Sequence, residues 1–229
     1  MDSVKAVVIG NSGVGKTAMQ LKLVQDYFPH EHVPTTFEIY QAGMLCKSQL
    51  VQLNLWDLGG KRDGNTLLML ENQALRSMAG AMLRQRENEM VKILSEHLRY
   101  FEKGVICTIA GYSVQVCIHE VVYPKADVFV LCYSLSDAAS LKSLLEEWGP
   151  EIQRWYPNVP RVLVGLREDE ENKTIPLKLI EEVANVLDVS EHLNFRLSAK
   201  HCDTNEIAEK FLKMIGHVLQ RRRSSARVS

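Results

Sequence analysis

Apolar and polar positions along the chain switch repeatedly between strand and helix rhythm. Val4 to Ile9, "VKAVVI", is a short β-branched run followed by a glycine-rich turn, the pattern of a central strand buried on both faces. Thr17 to Tyr27 then carries Ala18, Leu21, Val24 and Tyr27 at helical spacing. Thr36 to Cys46 and Leu50 to Asp57 read as the two strands of a hairpin, the second alternating through Val51, Leu53, Leu55 and Asp57. "DVFVLCY" (127–133) and "RVLVG" (161–165) are two more buried strands, with a helix predicted between them from Ala138 to Trp155. A short strand over Asn194 to Leu197 precedes a closing amphipathic helix over Glu206 to Gln220, with Ile207, Phe211, Met214, Ile215 and Val218 on one face. Strands alternating with helices predict an α/β fold: a mostly parallel sheet of about six strands with helices on both faces.

Residues 62 to 120 break that rhythm. Thr66 to Met82 and Met90 to Phe101 have helical apolar spacing, and "VICTI" and "VQVCI" flank an "AGYS" turn as a β-hairpin or as two loose extended segments. The domain is therefore expected to run from 1 to 220, interrupted by a 62–120 insertion (or a retained intron), and to end in a basic, disordered tail over 221–229.

Composition narrows the class. With 229 residues, 46% hydrophobic and 24% charged, the chain suits one large globular domain. A formal net charge of −1 argues against nucleic acid as a partner. No apolar run is long enough to span a membrane and no signal-peptide pattern opens the chain, so a cytoplasmic location is expected. The five cysteines are scattered, with no CxxC pair, and are expected to be free thiols.

The first chemical signal is Gly10-Asn-Ser-Gly-Val-Gly-Lys-Thr17, which fits GxxxxGK[ST] and lies between a strand and a helix. Gly10, Gly13 and Gly15 let successive backbone N–H groups face one anion, and the helix N-terminus adds partial positive charge. Lys16 supplies an ammonium for the outer phosphates and the Thr17 hydroxyl suits Mg²⁺. This motif alone does not separate ATP from GTP.

Five further segments settle the choice: "YFPHEHVPTTFEIY" (27–40), "LNLWDLGG" (53–60), "YPKADVFVLCYSL" (123–135), "EEWGPEIQRWYPNVPRVLVG" (146–165) and "LSAK" (197–200). Together with the phosphate loop they resemble the Ras superfamily of small GTPases, and most of all its Rho branch, over residues 3–61 and 121–220. The resemblance implies a P-loop small G-domain that binds GTP and GDP with Mg²⁺ as cofactor. Its phosphate-contacting run corresponds to Gly13, Val14, Gly15, Lys16, Thr17 and Ala18. Thr35 would reach Mg²⁺ through its hydroxyl and the γ-phosphate through its N–H, and Gly60 would offer its own N–H to that phosphate. Asp57 would hold Mg²⁺ through water, so the metal set is Thr17, Thr35 and Asp57. Phe28 would pack on the guanine or ribose, Asp169 would accept from the base, and Ser198, Ala199 and Lys200 would complete the base site. Release of Thr35 and Gly60 on hydrolysis would make the protein a switch, with effectors and regulators meeting "HVPTTFEIY".

Four features depart from that pattern. In "GLRED", Leu166 stands where the family has a polar residue that braces the loop, Arg167 replaces a Lys that lies on the base, and Asp169 is kept. Guanine preference with weakened affinity follows. Lys61 stands where a Gln orients the attacking water; an ammonium has three donors and no acceptor, so slow hydrolysis is expected. The 62–120 segment directly follows the turn that forms the second switch. Finally, the chain ends without a CaaX cysteine, which leaves Arg221, Arg222 and Arg223 to give at most weak contact with anionic lipid. Two functions fit: a guanine-nucleotide switch with slow or impaired hydrolysis, or a pseudo-GTPase binding module that no longer cycles. An ATP-using kinase would leave Thr35, Asp169 and "SAK" unexplained.

Overall fold

A computed structural model of the protein describes residues 2–31, 35, 37–59, 105–109, 112–116, 122–172 and 175–225. Strands β1 (Asp2–Ile9), β2 (Phe37–Cys46), β3 (Gln49–Leu58), β6 (Val128–Ser134), β7 (Arg161–Leu166) and β8 (Asn194–Arg196) form one sheet in the order β2-β3-β1-β6-β7-β8. Within this sheet β2 and β3 pair antiparallel, as a tight hairpin with Cys46 opposite Gln49, and the other pairings are parallel. Lys47 and Ser48 make that turn, both at positive φ. Every residue of β6 and β7 is buried, which requires cover on both faces of the sheet's centre and explains their mostly apolar sequence, with Arg161 and Ser134 the buried polar ends. At the hairpin side, β3 alternates buried and half-buried positions instead, and its inward set includes Val51, Leu53, Leu55 and Asp57.

The α-helices among the described residues are α1 (Lys16–Gln25), α2 (Ala138–Ser143), α3 (Gly149–Trp155), α4 (Leu177–Val186) and α5 (Thr204–Ser225). The helix predicted over Ala138 to Trp155 is thus real but not uniform. Asp137 caps its start through the Ala139 N–H, and a wide π-type turn over Leu144–Trp148 separates α2 from α3. Pro150 in the first turn of α3 has no N–H to give the preceding turn, and that loss favours the wider winding. Helix α4 was not predicted; it begins after Pro176 and buries Ile180, Val183 and Ala184. Helix α5 buries all five residues assigned to its apolar face, Ile207, Phe211, Met214, Ile215 and Val218.

One expectation is corrected at the C-terminal end. Residues 221–225 are not a disordered tail but the last turns of α5. Their arginines have partners within the domain. Arg221 donates to the Asn158 carbonyl at 3.1 Å, Arg222 to the Ser3 carbonyl at 2.9 Å and to Asp127, and Arg223 to the Gln49 amide oxygen at 3.2 Å. Asp127 also accepts from the Lys5 N–H at 2.7 Å, so the end of α5 is tied to the start of the sheet.

The chain divides into two compact units, one of residues 1–60 and 125–229, the other of residues 61–124. In the second, β4 (Val105–Ile109) and β5 (Tyr112–Val116) pair antiparallel with Ile109 opposite Tyr112, the hairpin alternative of the two weighed above, and β5 begins inside the expected "AGYS" turn. The helices expected over Thr66–Met82 and Met90–Phe101 lie outside the described residues, as do Gly60 and Lys61. Cys46, Cys132 and Cys202 are free thiols, and among the described residues no helix is long and apolar enough to cross a membrane.

Candidate nucleotide site

Strand order reverses at β1, whose neighbours are β3 on one side and β6 on the other. In an open α/β sheet, ligands bind beyond the carboxyl ends of the strands at such a point. Gly10 to Gly15 occupy it. Gly10 is required by space as well as by its φ of +140°: a Cβ there would sit 2.1 Å from the Cys132 carbonyl oxygen. Gly13 and Gly15 also have positive φ, and Gly15 forms the N-terminal cap of α1 in the left-handed region. The loop thus wraps with N–H groups at the start of a ten-residue helix, whose dipole favours an anion.

Lys16 is buried and its ammonium donates to the carbonyls of Gly10 at 2.8 Å and Asn11 at 2.9 Å. Burial lowers its pKa, and the nearby Asp57 carboxylate opposes that shift. Asn11, which sequence reasoning passed over, fixes the loop from outside. Its amide donates to the Ser143 hydroxyl at 3.0 Å and accepts from the Trp148 indole at 3.3 Å. The wide turn before α3 presents that indole.

Three oxygens meet beside the loop. The Thr17 hydroxyl donates to Asp57 Oδ2 at 2.5 Å and lies 2.6 Å from the Thr35 hydroxyl. Asp57 comes from the end of β3, held level with Val8 of β1 by the parallel register. It is fully buried, and burial raises its pKa to about 6 against the Thr17 hydrogen bond and the Lys16 charge. Its second oxygen, Oδ1, is buried with no hydrogen-bond partner among the described residues. An orphaned carboxylate oxygen beside two hydroxyls is a hard-oxygen set, and it fits Mg²⁺, which takes few protein ligands and completes its shell with water and phosphate. Thr17, Thr35 and Asp57 would hold the ion, which when bound neutralises charge on the outer phosphate oxygens.

The base side is built from the ends of β7 and β8. Asp169 is opposed by burial, which raises its pKa, but the Ser198 hydroxyl, its own backbone and the His201 and Lys200 charges outweigh that and hold it below the usual carboxylate range. The Ser198 hydroxyl donates to Asp169 Oδ1 at 2.6 Å and accepts from the His201 N–H at 3.1 Å. The Ser198 N–H in turn donates to Cys202 Sγ at 3.3 Å. Two backbone bonds, Leu197 N–H to the Gly165 carbonyl at 2.9 Å and Glu168 N–H to the Leu197 carbonyl at 3.3 Å, join the two loops. Ala199 is buried within this turn. Arg167 has φ +60° and donates to the Gly13 carbonyl, so it links the base loop to the phosphate loop. Phe28 is half-buried after α1, while Val14 is buried and Ala18 half-buried.

Asn11, His201 and Cys202 are the residues here that the sequence did not point to. Each acts through a contact distant in the chain or through a backbone turn, and none belongs to a spaced motif.

A phosphate loop at the strand-order reversal, a hard-oxygen set beside it and an anchored carboxylate across it define a P-loop nucleotide-binding α/β domain. The model of the Ras family matches residues 5–85 and 94–220, and the chain belongs to the Ras family. Its members are small GTP-binding switch proteins that use Mg²⁺ and generally hydrolyse GTP. The match runs through 62–85 and 94–120, a segment for which the motif resemblance had offered no counterpart, and leaves 86–93 unmatched.

Proposed function

We propose that this protein is a guanine-nucleotide-dependent signalling switch of Rho-like type that holds Mg·GTP and Mg·GDP and hydrolyses GTP slowly. The observation that carries this reading is the pairing of two anchored carboxylates across one phosphate loop. Asp57 sits with Thr17 at 2.5 Å on the metal side, and Asp169 sits with Ser198 at 2.6 Å on the base side. An ionised Asp169 accepts from the N1–H and exocyclic amine of guanine and meets an acceptor and a donor in the wrong places on adenine. Gly13 to Ala18, with Phe28, Arg167, Ala199 and Lys200, would enclose the rest of the nucleotide, and Gly60 would complete the γ-phosphate contacts.

Slow turnover rests on Lys61. A Gln amide accepts from the attacking water and donates onward, while an ammonium only donates. Lys61→Gln should raise the single-turnover rate of GTP hydrolysis roughly 10- to 100-fold, the scale on which positioning a reactant acts. An unchanged rate would sink the assignment of the defect to this side chain. Effectors and regulators would meet the segment from His32 to Tyr40. A cytoplasmic location fits the sequence.

A pseudo-GTPase binding module is favoured by one specific observation. Leu166 packs toward Gly15, 3.7 Å from the position of a Cβ there, and gives the loops no polar brace. Protein that retains GTP without releasing phosphate would select this second reading.

A further inference from the structure

We propose that Glu170 is a positioning residue for nucleotide retention: it holds the Arg167 guanidinium across the base and phosphate loops and supplies the brace that Leu166 cannot. This rests on the guanine-nucleotide reading above.

The starting point is the backbone. Arg167 lies at φ +60°, a region that costs a branched or long L-residue free energy and persists where the surroundings enforce it. Its side chain is also nearly half exposed, so a single contact would leave the guanidinium to wander. The structure gives it two contacts, one from each terminal nitrogen. Nη2 donates to the Gly13 carbonyl of the phosphate loop. Nη1 donates to Glu170 Oε1 at 2.9 Å, within the turn closed by the Glu170 N–H to the Arg167 carbonyl at 3.2 Å.

Glu170 is itself anchored, which makes it more than a passing surface partner. Its other oxygen, Oε2, accepts from the Ser136 hydroxyl. Ser136 lies 2.8 Å from the Ser134 hydroxyl through its own, and Ser134 ends β6, buried, with its N–H bonded to Ser140 Oγ at 2.9 Å. A continuous polar chain therefore runs from the end of β6 through Ser136, Glu170 and Arg167 to Gly13. It passes around Asp169, which sits between Arg167 and Glu170 in sequence, and so brackets the carboxylate that reads the base. Leu166 contributes nothing polar to this joint: it is buried at the end of β7 and faces Gly15.

The consequence is a rate. With Glu170 neutralised, Arg167 loses its inner partner, the two loops move apart more readily, and bound nucleotide escapes faster. Because the ion pair is partly exposed, the effect is modest, about three- to five-fold.

The test measures release of fluorescent GDP from Mg-loaded wild-type protein and from Glu170→Gln, Arg167→Ala and the double variant. Expected are faster release in each single variant and a double variant no faster than Arg167→Ala alone, since Glu170 acts through Arg167. Ser136→Ala, which removes the anchor of Glu170 at one step further, should accelerate release less, and likewise without adding to Arg167→Ala. This second series carries the test if Glu170→Gln folds poorly. Additive effects, or release unchanged in Glu170→Gln and Ser136→Ala, would overturn the proposal while leaving guanine-nucleotide binding intact. Wild-type protein that takes up no GDP at all would overturn the binding reading and the proposal with it.

Discussion

Asp57→Asn separates what this residue does for the fold from what it does for a metal. The wild-type carboxylate is fully buried, and burial lifts its pKa from 3.8 to about 6. A carboxyl whose folded pKa lies above its unfolded value binds its proton more tightly in the folded state. Its contribution is therefore most favourable at low pH and declines as pH rises from 3.8 through 6. Above that window the full cost of the buried charge is present, about 3 kcal/mol at 1.36 kcal/mol per unit. Asn has the shape of the protonated acid and carries no charge, so at pH 7.5, in protein stripped of nucleotide and divalent cation, the variant should be more stable by up to about 3 kcal/mol. For a chain of this size that is a rise of roughly 5–10 °C in Tm. The difference should shrink as pH falls through 6 and vanish near pH 4. Added Mg²⁺ with GDP should reverse the order, because the cation compensates the carboxylate in wild type and has lost that oxygen in the variant. Differential scanning calorimetry across pH 4–8, with and without Mg·GDP, gives all four corners. A stripped variant no more stable than wild type at pH 7.5, or a gap that does not change with pH, would refute the argument that this charge is held at a cost for a cation.

Other predictions follow from single contacts. Ser198→Ala removes a hydroxyl-to-carboxylate bond of 2.6 Å at Asp169, in a partly exposed setting where the loss is about 1.5 kcal/mol. GDP release followed by stopped-flow fluorescence should accelerate roughly tenfold; a change under twofold would remove Asp169 from base recognition. Gly10→Ala forces a Cβ against the Cys132 carbonyl from which it would be 2.1 Å away. It should destabilise the domain by about 3 kcal/mol in chemical denaturation, and a stability within 0.5 kcal/mol of wild type, on the order of an ordinary surface change, would contradict the close approach. Arg222→Ala breaks the contacts to Ser3 and Asp127; with the pair partly exposed, a loss of about 0.5–1 kcal/mol is expected in the same assay.

Much of the sheet was legible because burial wrote itself into composition. The all-buried strands β6 and β7 carry almost nothing but apolar residues, and β3 alternates cleanly enough to place Asp57 on its inner face. Helix α4 escaped notice for the opposite reason. Leu177, Leu179 and Val186 are apolar yet exposed, and they blur the stripe formed by Ile180, Val183 and Ala184. Charge misled at the C-terminus: a run of three arginines suggests a solvated tail, while the structure seats each on a particular oxygen. In the site, the glycines and Lys16 were readable because a phosphate loop needs a contiguous stretch of backbone. Asn11 and Glu170 were not, because their partners at Trp148, Ser143 and Ser136 lie far away in the chain. Arg167 shows how a motif reads only in part: its slot was recognised as belonging to the base, and its donation to the Gly13 carbonyl became visible only when the two loops stood side by side.

The central claim is that this chain holds guanine nucleotide and turns it over slowly. The most direct measurement is the identity and amount of nucleotide extracted from freshly purified protein by acid and resolved by ion-pair chromatography. The expected result is close to one guanine nucleotide per chain, with a substantial share present as GTP. Protein carrying adenine nucleotide, or none even after incubation with Mg·GTP, would contradict it.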